Sequence, residues 1–142
     1  MADLATLELA LQTAIEAGFD TDDGVQVVID EPEVLPRLPI VWLRWVGVDP
    51  VRDAETGIGQ DWVEQWLVHL DLDATNMAAA QTQMKTLLPK LLDAFRADPT
   101  LGDTADRLVA RISEEPEFFR RAGNDLLYGV QLRVGVEHTR NG

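Results

Sequence analysis

The sequence predicts an α/β fold of the α+β kind, with a mixed, mostly antiparallel sheet of about four to five strands and helices packed on one of its faces. Two stretches, Asp3–Ala17 and Met77–Ala97, repeat apolar residues at the spacing of an amphipathic helix. Several other stretches alternate apolar and polar residues with the period of two that is typical of a half-buried strand. At 142 residues, the chain is expected to form a single domain (residues 1–142) that buries a core without cross-links.

The start of the chain predicts one helix, one turn and one short strand. Asp3 is a suitable N-cap for the first helix, and Gly18 is a suitable stop. The polar run Asp20–Gly24 predicts a turn, and the run Val25–Ile29 predicts a short buried strand. Three prolines in residues 31–39 then exclude a regular element.

Two longer strands are predicted next, Ile40–Val48 and Asp61–Asp73, and together they are expected to form a hairpin. Their connection, Asp49–Gln60, is long for a hairpin turn, and loops of this kind often carry contacts. Because side chains alternate along a strand, Trp42 and Trp45 are expected on opposite faces. At least one large aromatic side chain therefore belongs at a surface or an interface, where Trp is enriched.

The second half of the chain begins with the main helix, Met77–Ala97, which Thr75 or Asn76 can cap. Pro89 lies inside this run, where it removes a backbone hydrogen bond and clashes with the preceding turn. The run therefore predicts either a kinked helix or two shorter helices.

Two strands are predicted to close the chain, Asp106–Ile112 and the strictly alternating run Tyr128–His138. The apolar face of the last strand holds five residues: Tyr128, Val130, Leu132, Val134 and Val136. We therefore expect one apolar face of the sheet to be covered by helices and a more polar face to be left free.

Charge and composition limit the classes of function. The formal net charge is −13, and all of the excess lies in residues 1–80, because residues 81–142 carry nine acidic and nine basic side chains. An acidic surface repels a phosphate backbone, so specific binding to DNA or RNA is not expected. The absence of cysteine excludes disulfides and thiolate chemistry. Neither a secretory signal nor a membrane-spanning run is recognised, which predicts a soluble cytoplasmic protein without membrane contact.

Few residues are candidates for chemistry. His69, Asp71 and Asp73 share one strand face and could bind a divalent metal or act as an acid–base pair, but the pattern favours a solvated strand face. The run Asp20–Gly24 does not place carboxylates at the ligand positions of a calcium loop. Nothing around Ser113, the only serine, resembles a nucleophile elbow. We therefore predict that the chain is not an enzyme and has no catalytic residue, cofactor or metal site.

The tryptophans and the long connection of the hairpin supply the residues that we predict at an interface. Both lie where a neighbouring molecule can reach them. The predicted interface residues are Trp45, Asp49, Arg52, Asp53, Glu55 and Trp62.

Three local features allow a comparison with a known family. The first is the opening helix, Leu4–Ala17, which leads into a short strand, and the second is the strand Trp62–Asp73, which runs directly into a helix starting near Asn76. The third is the turn Asp98-Pro99-Thr100-Leu101-Gly102-Asp103-Thr104-Ala105-Asp106-Arg107-Leu108-Val109. Together with the order of the elements, these features resemble the tail terminator family of long-tailed bacteriophages. Relatives often carry a second glycine in this turn, where the present chain has Asp103.

The resemblance implies a structural virion protein without catalytic residues. It implies an α/β fold that assembles into a homohexameric ring, caps the completed tail tube and connects it to the head-side connector. The implied partners are other copies of the chain, the tail tube protein and the head–tail connector protein, while phage DNA passes through the lumen without specific binding. The implied location is the tail or neck of the virion, after assembly in the host cytoplasm.

Three other functions remain open. Another phage neck or tail-completion protein would share the same features of fold. An acidic inhibitor that imitates DNA would bind a basic nucleic-acid enzyme and would not self-assemble. A small metal-dependent enzyme would depend on His69, Asp71 and Asp73.

Overall fold

The computed structural model describes residues 3–32, 37–50, 61–121 and 125–139. The helices and strands in these ranges follow the predicted order. They are α1 (Leu4–Ala17), β1 (Gln26–Ile29), β2 (Ile40–Pro50), β3 (Asp61–Asp73), α2 (Met77–Ala97), β4 (Arg107–Arg120) and β5 (Leu126–Thr139), with a short 3₁₀ turn at Thr21–Asp23. Within the described ranges, no helix is both long and apolar enough to cross a membrane.

The strands form one five-stranded sheet in the order β1-β2-β3-β5-β4. Strand β1 runs parallel to β2, and the other neighbouring pairs are antiparallel. The predicted hairpin is therefore confirmed as β2–β3, and the mixed, mostly antiparallel α+β fold is confirmed as well. The short β1 and the long β4 form the two edges of the sheet.

Both helices pack on the same face of the sheet, here called the covered face. Alternate residues of the strands point to this face because the side-chain period of a strand is two. The fully buried strand residues of this core are Val41, Leu43, Trp66, Val68, Leu70, Leu72, Leu132, Val134 and Val136. The helices contribute Leu7, Leu11, Ile15, Met84, Leu87, Leu91 and Phe95. The indole Nε1 of Trp66 donates to Glu8 Oε2 on α1 at 3.0 Å, so the buried indole N–H has a partner.

Both helices begin at the predicted caps. Asp3 Oδ1 accepts from Thr6 N at 2.8 Å, and Asn76 Oδ1 accepts from Ala79 N at 3.0 Å. The prediction of two shorter helices in the second half is wrong, because α2 continues through Pro89. Buried leucines on both sides of the proline pack on the sheet, and this packing outweighs the local cost of the proline.

The turn predicted at residues 20–24 is confirmed and is tied to α2. Gly24 has a φ of +65°, a left-handed conformation that glycine adopts without strain. Lys90 Nζ donates to both oxygens of Asp23, at 2.8 and 2.9 Å, and to Asp20 Oδ2 at 3.3 Å. Lys90 of α2 therefore neutralises part of the negative charge of the turn.

Strand β4 is longer than predicted. The sequence predicts its end at Ile112, whereas the strand continues to Arg120. Its register against β5 shifts between Ile112 and Glu114 and again between Glu114 and Glu117. Pro116 lies within the second of these irregularities, and a proline is tolerated at a bulge of an edge strand because not every backbone N–H there is needed for pairing. The extension brings the end of β4 back over the sheet face that the helices leave free.

Candidate functional site

The face of the sheet opposite the helices is here called the open face. On β3 it carries Val63, Gln65, Leu67, His69, Asp71 and Asp73, as the alternation predicts. The strand register places Trp42 opposite His69, and Ile40 opposite Asp71. On the other side of β3, Gln131 is opposite His69 and Gly129 is opposite Asp71.

A cavity of about 400 Å³ lies on this face, and we call it the acidic pocket. Its carboxylates come from β3, from the extended part of β4 and from the segment after β1: Asp71, Glu114, Glu115, Glu117 and Glu31. Its other walls include Trp42, His69, Phe119 and Arg121. The acidic pocket exists because β4 continues past Pro116. If β4 ended at Ile112, as the sequence predicts, the pocket would lack one wall.

The Trp42 ring stacks on His69 and lies near the guanidinium of Arg121. Its ring stacks on His69 with a centroid distance of 3.8 Å and an interplanar angle of 4°. The Cζ atom of Arg121 lies 6.0 Å from the centre of the Trp42 ring, at the outer limit of a cation–π contact. Arg121 Nη2 also donates to Glu31 Oε1 at 2.7 Å and to the Pro32 carbonyl at 3.2 Å. Arg121 thus joins the end of β4 to the segment after β1.

Asp71 is the most buried acid of the pocket, with 3% of its surface exposed. Trp42 Nε1 donates to its Oδ2 at 2.9 Å. Burial raises the pKa of the Asp71 carboxyl, and the hydrogen bond from Trp42 offsets part of that effect. Gly129 leaves room for the carboxylate, because a Cβ there would collide with Asp71 Oδ1 and would lie 2.7 Å from Phe119 Cε1.

His69 is neutral at pH 7. Burial, with a smaller contribution from the guanidinium of Arg44, lowers the pKa of His69 to about 4. In the part of the chain that the structure describes, its buried Nε2 has no hydrogen-bond partner.

The prediction of a solvated strand face is therefore wrong for His69 and Asp71. The extended β4 and the segment after β1 shield them, which the local pattern could not indicate. Asp73 is exposed, and its Oδ1 accepts from Thr75 N at 2.9 Å and from Thr75 Oγ1 at 2.7 Å. Asp73 thus stabilises the turn before α2 and does not join the pocket. Among the described residues, no group of three His, Asp or Glu side chains is arranged to hold a metal ion.

Three of the predicted interface residues, Trp45, Asp49 and Trp62, lie at one end of the hairpin. Trp45 is 40% exposed, and its Nε1 donates to Glu64 Oε2 at 3.0 Å. Trp62 lies on the same side of β3 as Glu64 and pairs with His138 of β5. Asp49 is exposed and pairs with Val63, on the open-face side. The predicted positions Arg52, Asp53 and Glu55 fall outside the described residues.

Two pairs of residues were missed by the sequence reasoning. Glu64 and His138 are both buried on the covered side, with His138 Nε2 3.5 Å from Glu64 Oε1. Their positions on the apolar side of alternating strands could have indicated a buried polar pair. Arg121 and Glu31 were also missed, and no local pattern relates them because they lie 90 positions apart.

A row of arginines crosses the open face beside the acidic pocket. Arg111 of β4 is directly opposite Arg133 of β5, Arg133 is opposite Leu67, and Leu67 is opposite Arg44 of β2. Arg133 Nε donates to Gln65 Oε1 at 3.3 Å. Within the described ranges, no carboxylate lies within ion-pair distance of these three guanidinium groups. Like charges directly opposite each other in a sheet are destabilising, so this row has a cost in the isolated chain.

No family model matches the chain, and no curated protein matches it. A solved structure described as the virion of a native gene transfer agent particle contains a chain similar to this one. The similarity covers 92% of this chain and 94% of that chain, with 18% sequence identity and a TM-score of 0.42. A likeness at this level assigns neither a family nor an activity to the present chain.

Proposed function

We propose that this chain is a structural protein of a phage-like virion that closes the completed tail tube as a ring and connects it to the head-side connector. The ring contains six copies, and the chain performs no catalysis. The observation that carries the proposal is the order of the described elements. Helix, short strand, hairpin, long helix, Leu-Gly turn and two antiparallel strands follow each other as the resemblance to tail terminators implies.

The distribution of charge supports a ring in which one surface of each copy contacts a different surface of the next copy. A closed ring joins two different surfaces of each copy. The sheet order separates the halves of the chain, with β1, β2 and β3 on one side and β5 and β4 on the other. The acidic excess belongs to residues 1–80, whereas β4 presents the exposed Arg107 and Arg111. The first part of β4 in one copy, before Glu114, Glu115 and Glu117, therefore complements the acidic side of the next copy, and such complementarity favours encounter in the correct orientation.

The edge strand β4 also exposes apolar surface. Val109 is 48% exposed and Ile112 is 37% exposed, and the register places them on opposite faces of the strand. A long edge strand with unpaired backbone groups and apolar side chains is a template for contact with another chain. A neighbouring copy covers this edge in the proposed ring.

Native mass spectrometry and negative-stain imaging of the concentrated protein test the proposal. We expect ring-shaped particles with a mass near six times that of the 15.8 kDa chain, and rings at the ends of purified tail tubes after mixing. The double variant Val109→Asp/Ile112→Asp is expected to remain monomeric. Leu9→Asp is the matched control, because Leu9 is an exposed apolar residue on α1, away from the β4 edge.

Three results would overturn this function. Monomers that bind neither each other nor tail tubes would exclude the ring. Tight binding to a basic nucleic-acid enzyme without self-assembly would identify an acidic inhibitor instead. Ring particles that bind the connector but not the tube would identify another neck protein.

A further inference from the structure

The two edges of the sheet differ in how far the chain itself covers them. Strand β1 has four residues, and the carbonyl of Val27 on it already accepts a hydrogen bond from Gln12 Nε2 of α1 at 3.1 Å. Strand β4 has 14 residues and pairs only with β5 among the described strands. Its exposed apolar side chains are Val109 and Ile112. A long edge strand of this kind can pair with a further strand through its free backbone groups, so β4 is the edge at which a strand can be added.

Charged side chains divide β4 into a basic part and an acidic part. The basic part holds Arg107 and Arg111, and the acidic part holds Glu114, Glu115 and Glu117. All five side chains are exposed, and none of them has an ion-pair partner within the described ranges. An antiparallel copy of the same strand reverses this order and brings its acidic part beside the basic part. Strand β4 is therefore complementary in charge to itself, which favours a second copy of the chain as its partner.

The first register shift in β4 makes this match specific. In the ladder with β5, Arg111, Ile112 and Glu114 occupy three consecutive positions, because Ser113 is the additional residue of the shift. Without the shift, the period of two would direct Arg111 and Glu114 to opposite faces of the sheet. With it, both lie on the open face, one position on either side of Ile112. A two-fold axis through Ile112 therefore exchanges the position of Arg111 with that of Glu114.

We propose that β4 of one copy pairs antiparallel with β4 of a second copy about a two-fold axis at Ile112, and that this pairing covers the free edge before the chain assembles on a tail tube. Ile112 meets its equivalent in the other copy, and Arg111 of each copy is opposite Glu114 of the other. Opposite charges at directly paired positions stabilise a sheet. Arg107 lies diagonally opposite Glu117, within reach of long side chains. The two sheets become one continuous sheet across both copies.

The pair goes beyond the proposed ring, because a two-fold contact joins the same surface of each copy, whereas a ring joins different surfaces. The edge of β4 cannot take part in both contacts at once. Assembly of six copies rises more steeply with concentration than pairing of two. We therefore expect the pair in dilute protein without tail tubes, and the ring at high concentration or on tubes. A pair without rings would support this inference and contradict the ring, and rings without a pair would do the reverse.

Sedimentation equilibrium of the dilute full chain without tail tubes measures the pair directly. We expect a mass of twice the 15.8 kDa of one chain. Arg111→Glu and Glu114→Arg, each alone, place like charges opposite each other at two positions in every pair. Each variant is expected to weaken pairing by on the order of tenfold. Net charge does not explain such a result, because Glu114→Arg lowers the net negative charge and by that effect alone would favour association.

The two charge reversals are expected to restore pairing when they are combined. In a mixture of the Arg111→Glu protein and the Glu114→Arg protein, opposite charges again face each other at both positions. The double variant Arg111→Glu/Glu114→Arg restores the same pairs of charges between identical copies. Native mass spectrometry resolves the mixed pair from a pair of identical variants, because the two variants differ in mass.

Two controls separate loss of pairing from loss of folding. Arg111 is directly opposite Arg133 in its own chain, so Arg111→Glu removes a repulsion there and is not expected to destabilise the monomer. Arg44→Glu changes an exposed arginine of β2 by the same charge, away from the β4 edge, and is expected to leave the pair intact. Urea unfolding at a concentration below that of pairing checks the stability of both variants.

The pair is excluded if the wild-type chain stays monomeric up to the concentration at which it forms rings or precipitates. A pair that both charge reversals leave intact would exclude the antiparallel register about Ile112, and so would a mixture of the two variants that fails to pair. A pair that is lost in Arg44→Glu and kept in Arg111→Glu would place the contact away from the β4 edge and would overturn the proposal as well.

Discussion

The covered face and the open face of the sheet differ in what their buried residues require. On the covered face, buried side chains meet the apolar sides of α1 and α2, and the indole of Trp66 finds its acceptor on α1. On the open face, the buried Trp42 and Asp71 and the half-buried His69 surround a cavity that, among the described residues, is lined by strands and by the segment after β1. The covered face is therefore complete within one chain, whereas the open face keeps polar atoms that a partner can satisfy.

This difference indicates that the covered face mainly supplies stability and that the open face mainly supplies binding. Packing of apolar side chains supplies most of the favourable free energy of folding. Buried polar groups without complete partners cost free energy, and they persist where they have a use. We therefore expect the largest stability effects on the covered face and the largest binding effects on the open face.

Truncation of a tryptophan on each face gives the strongest comparison. Trp66→Ala is expected to lower the free energy of unfolding by about 4 kcal/mol, because it leaves a sealed cavity and removes the hydrogen-bond donor of Glu8. Trp42→Ala is expected to cost about half of that, because water from the acidic pocket can enter the space and solvate Asp71. Urea unfolding measures both values. Equal losses would mean that the open face is as much a part of the core as the covered face.

The covered face could be predicted from the sequence because its signals are local. The apolar spacing of residues 3–17 and 77–97 places both helices, and the period of two in residues 128–138 places the last strand. The hairpin register also follows from two adjacent strands. On the covered face, tertiary packing outweighs a local preference only at Pro89, since a proline inside a helix normally kinks or ends it, whereas α2 is continuous.

The pocket could not be predicted in the same way, because its walls are distant in sequence. Its formation needs β4 to pass Pro116 by means of two register shifts, and a proline in a polar run normally ends a strand. It also needs the ion pair between Arg121 and Glu31. Long-range pairings of this kind leave no periodic signal, and for that reason His69 and Asp71 looked like solvated strand residues.

Gly129→Ala tests whether the close packing around Asp71 holds the open face together. The new Cβ would collide with Asp71 Oδ1 and would also lie too close to Phe119 and the Leu70 carbonyl. We expect a loss of about 2 kcal/mol in the free energy of unfolding, the usual range for overpacking. Gly135→Ala is the control on the same strand and face, where the nearest atom is Val63 Cγ1 at 3.0 Å. A loss for Gly135→Ala as large as that for Gly129→Ala would contradict a special role of the pocket.

The pH dependence of stability distinguishes the open face in a different way. The pKa of His69 is about 4 in the folded chain and 6.5 without the burial, so between these values only the unfolded chain binds the proton. Stability from this group is therefore present above pH 6.5 and is lost as the pH falls towards 4. His69→Phe keeps an aromatic ring on Trp42 and removes the titration. We expect the wild type to lose roughly 2 kcal/mol relative to this variant between pH 7 and pH 4.5.

Asp71 must be separated from His69 in this measurement. Burial raises the pKa of Asp71, so the folded chain holds its proton more firmly, and its effect runs in the opposite direction as the pH falls. The comparison is therefore made in the Asp71→Asn background, with and without His69→Phe. Parallel pH profiles of these two variants would show that His69 does not titrate with a lowered pKa.

The smallest expected effect lies in the turn between α2 and β4, which belongs to neither face. Asp103 has a φ of +67°, in the left-handed region that glycine adopts more easily. Asp103→Gly is expected to raise the free energy of unfolding by about 0.5 kcal/mol, since the relief of strain exceeds the added freedom of the unfolded chain. Asp98→Gly in the same turn should act in the opposite direction, because Asp98 has a φ of −134° and its Oδ1 accepts from Gly102 N at 2.8 Å. Thermal unfolding of both variants measures the two signs. The NMR chemical shift of the Trp42 indole N–H should stay unchanged in both variants, because a change of stability in this turn needs no change in the acidic pocket.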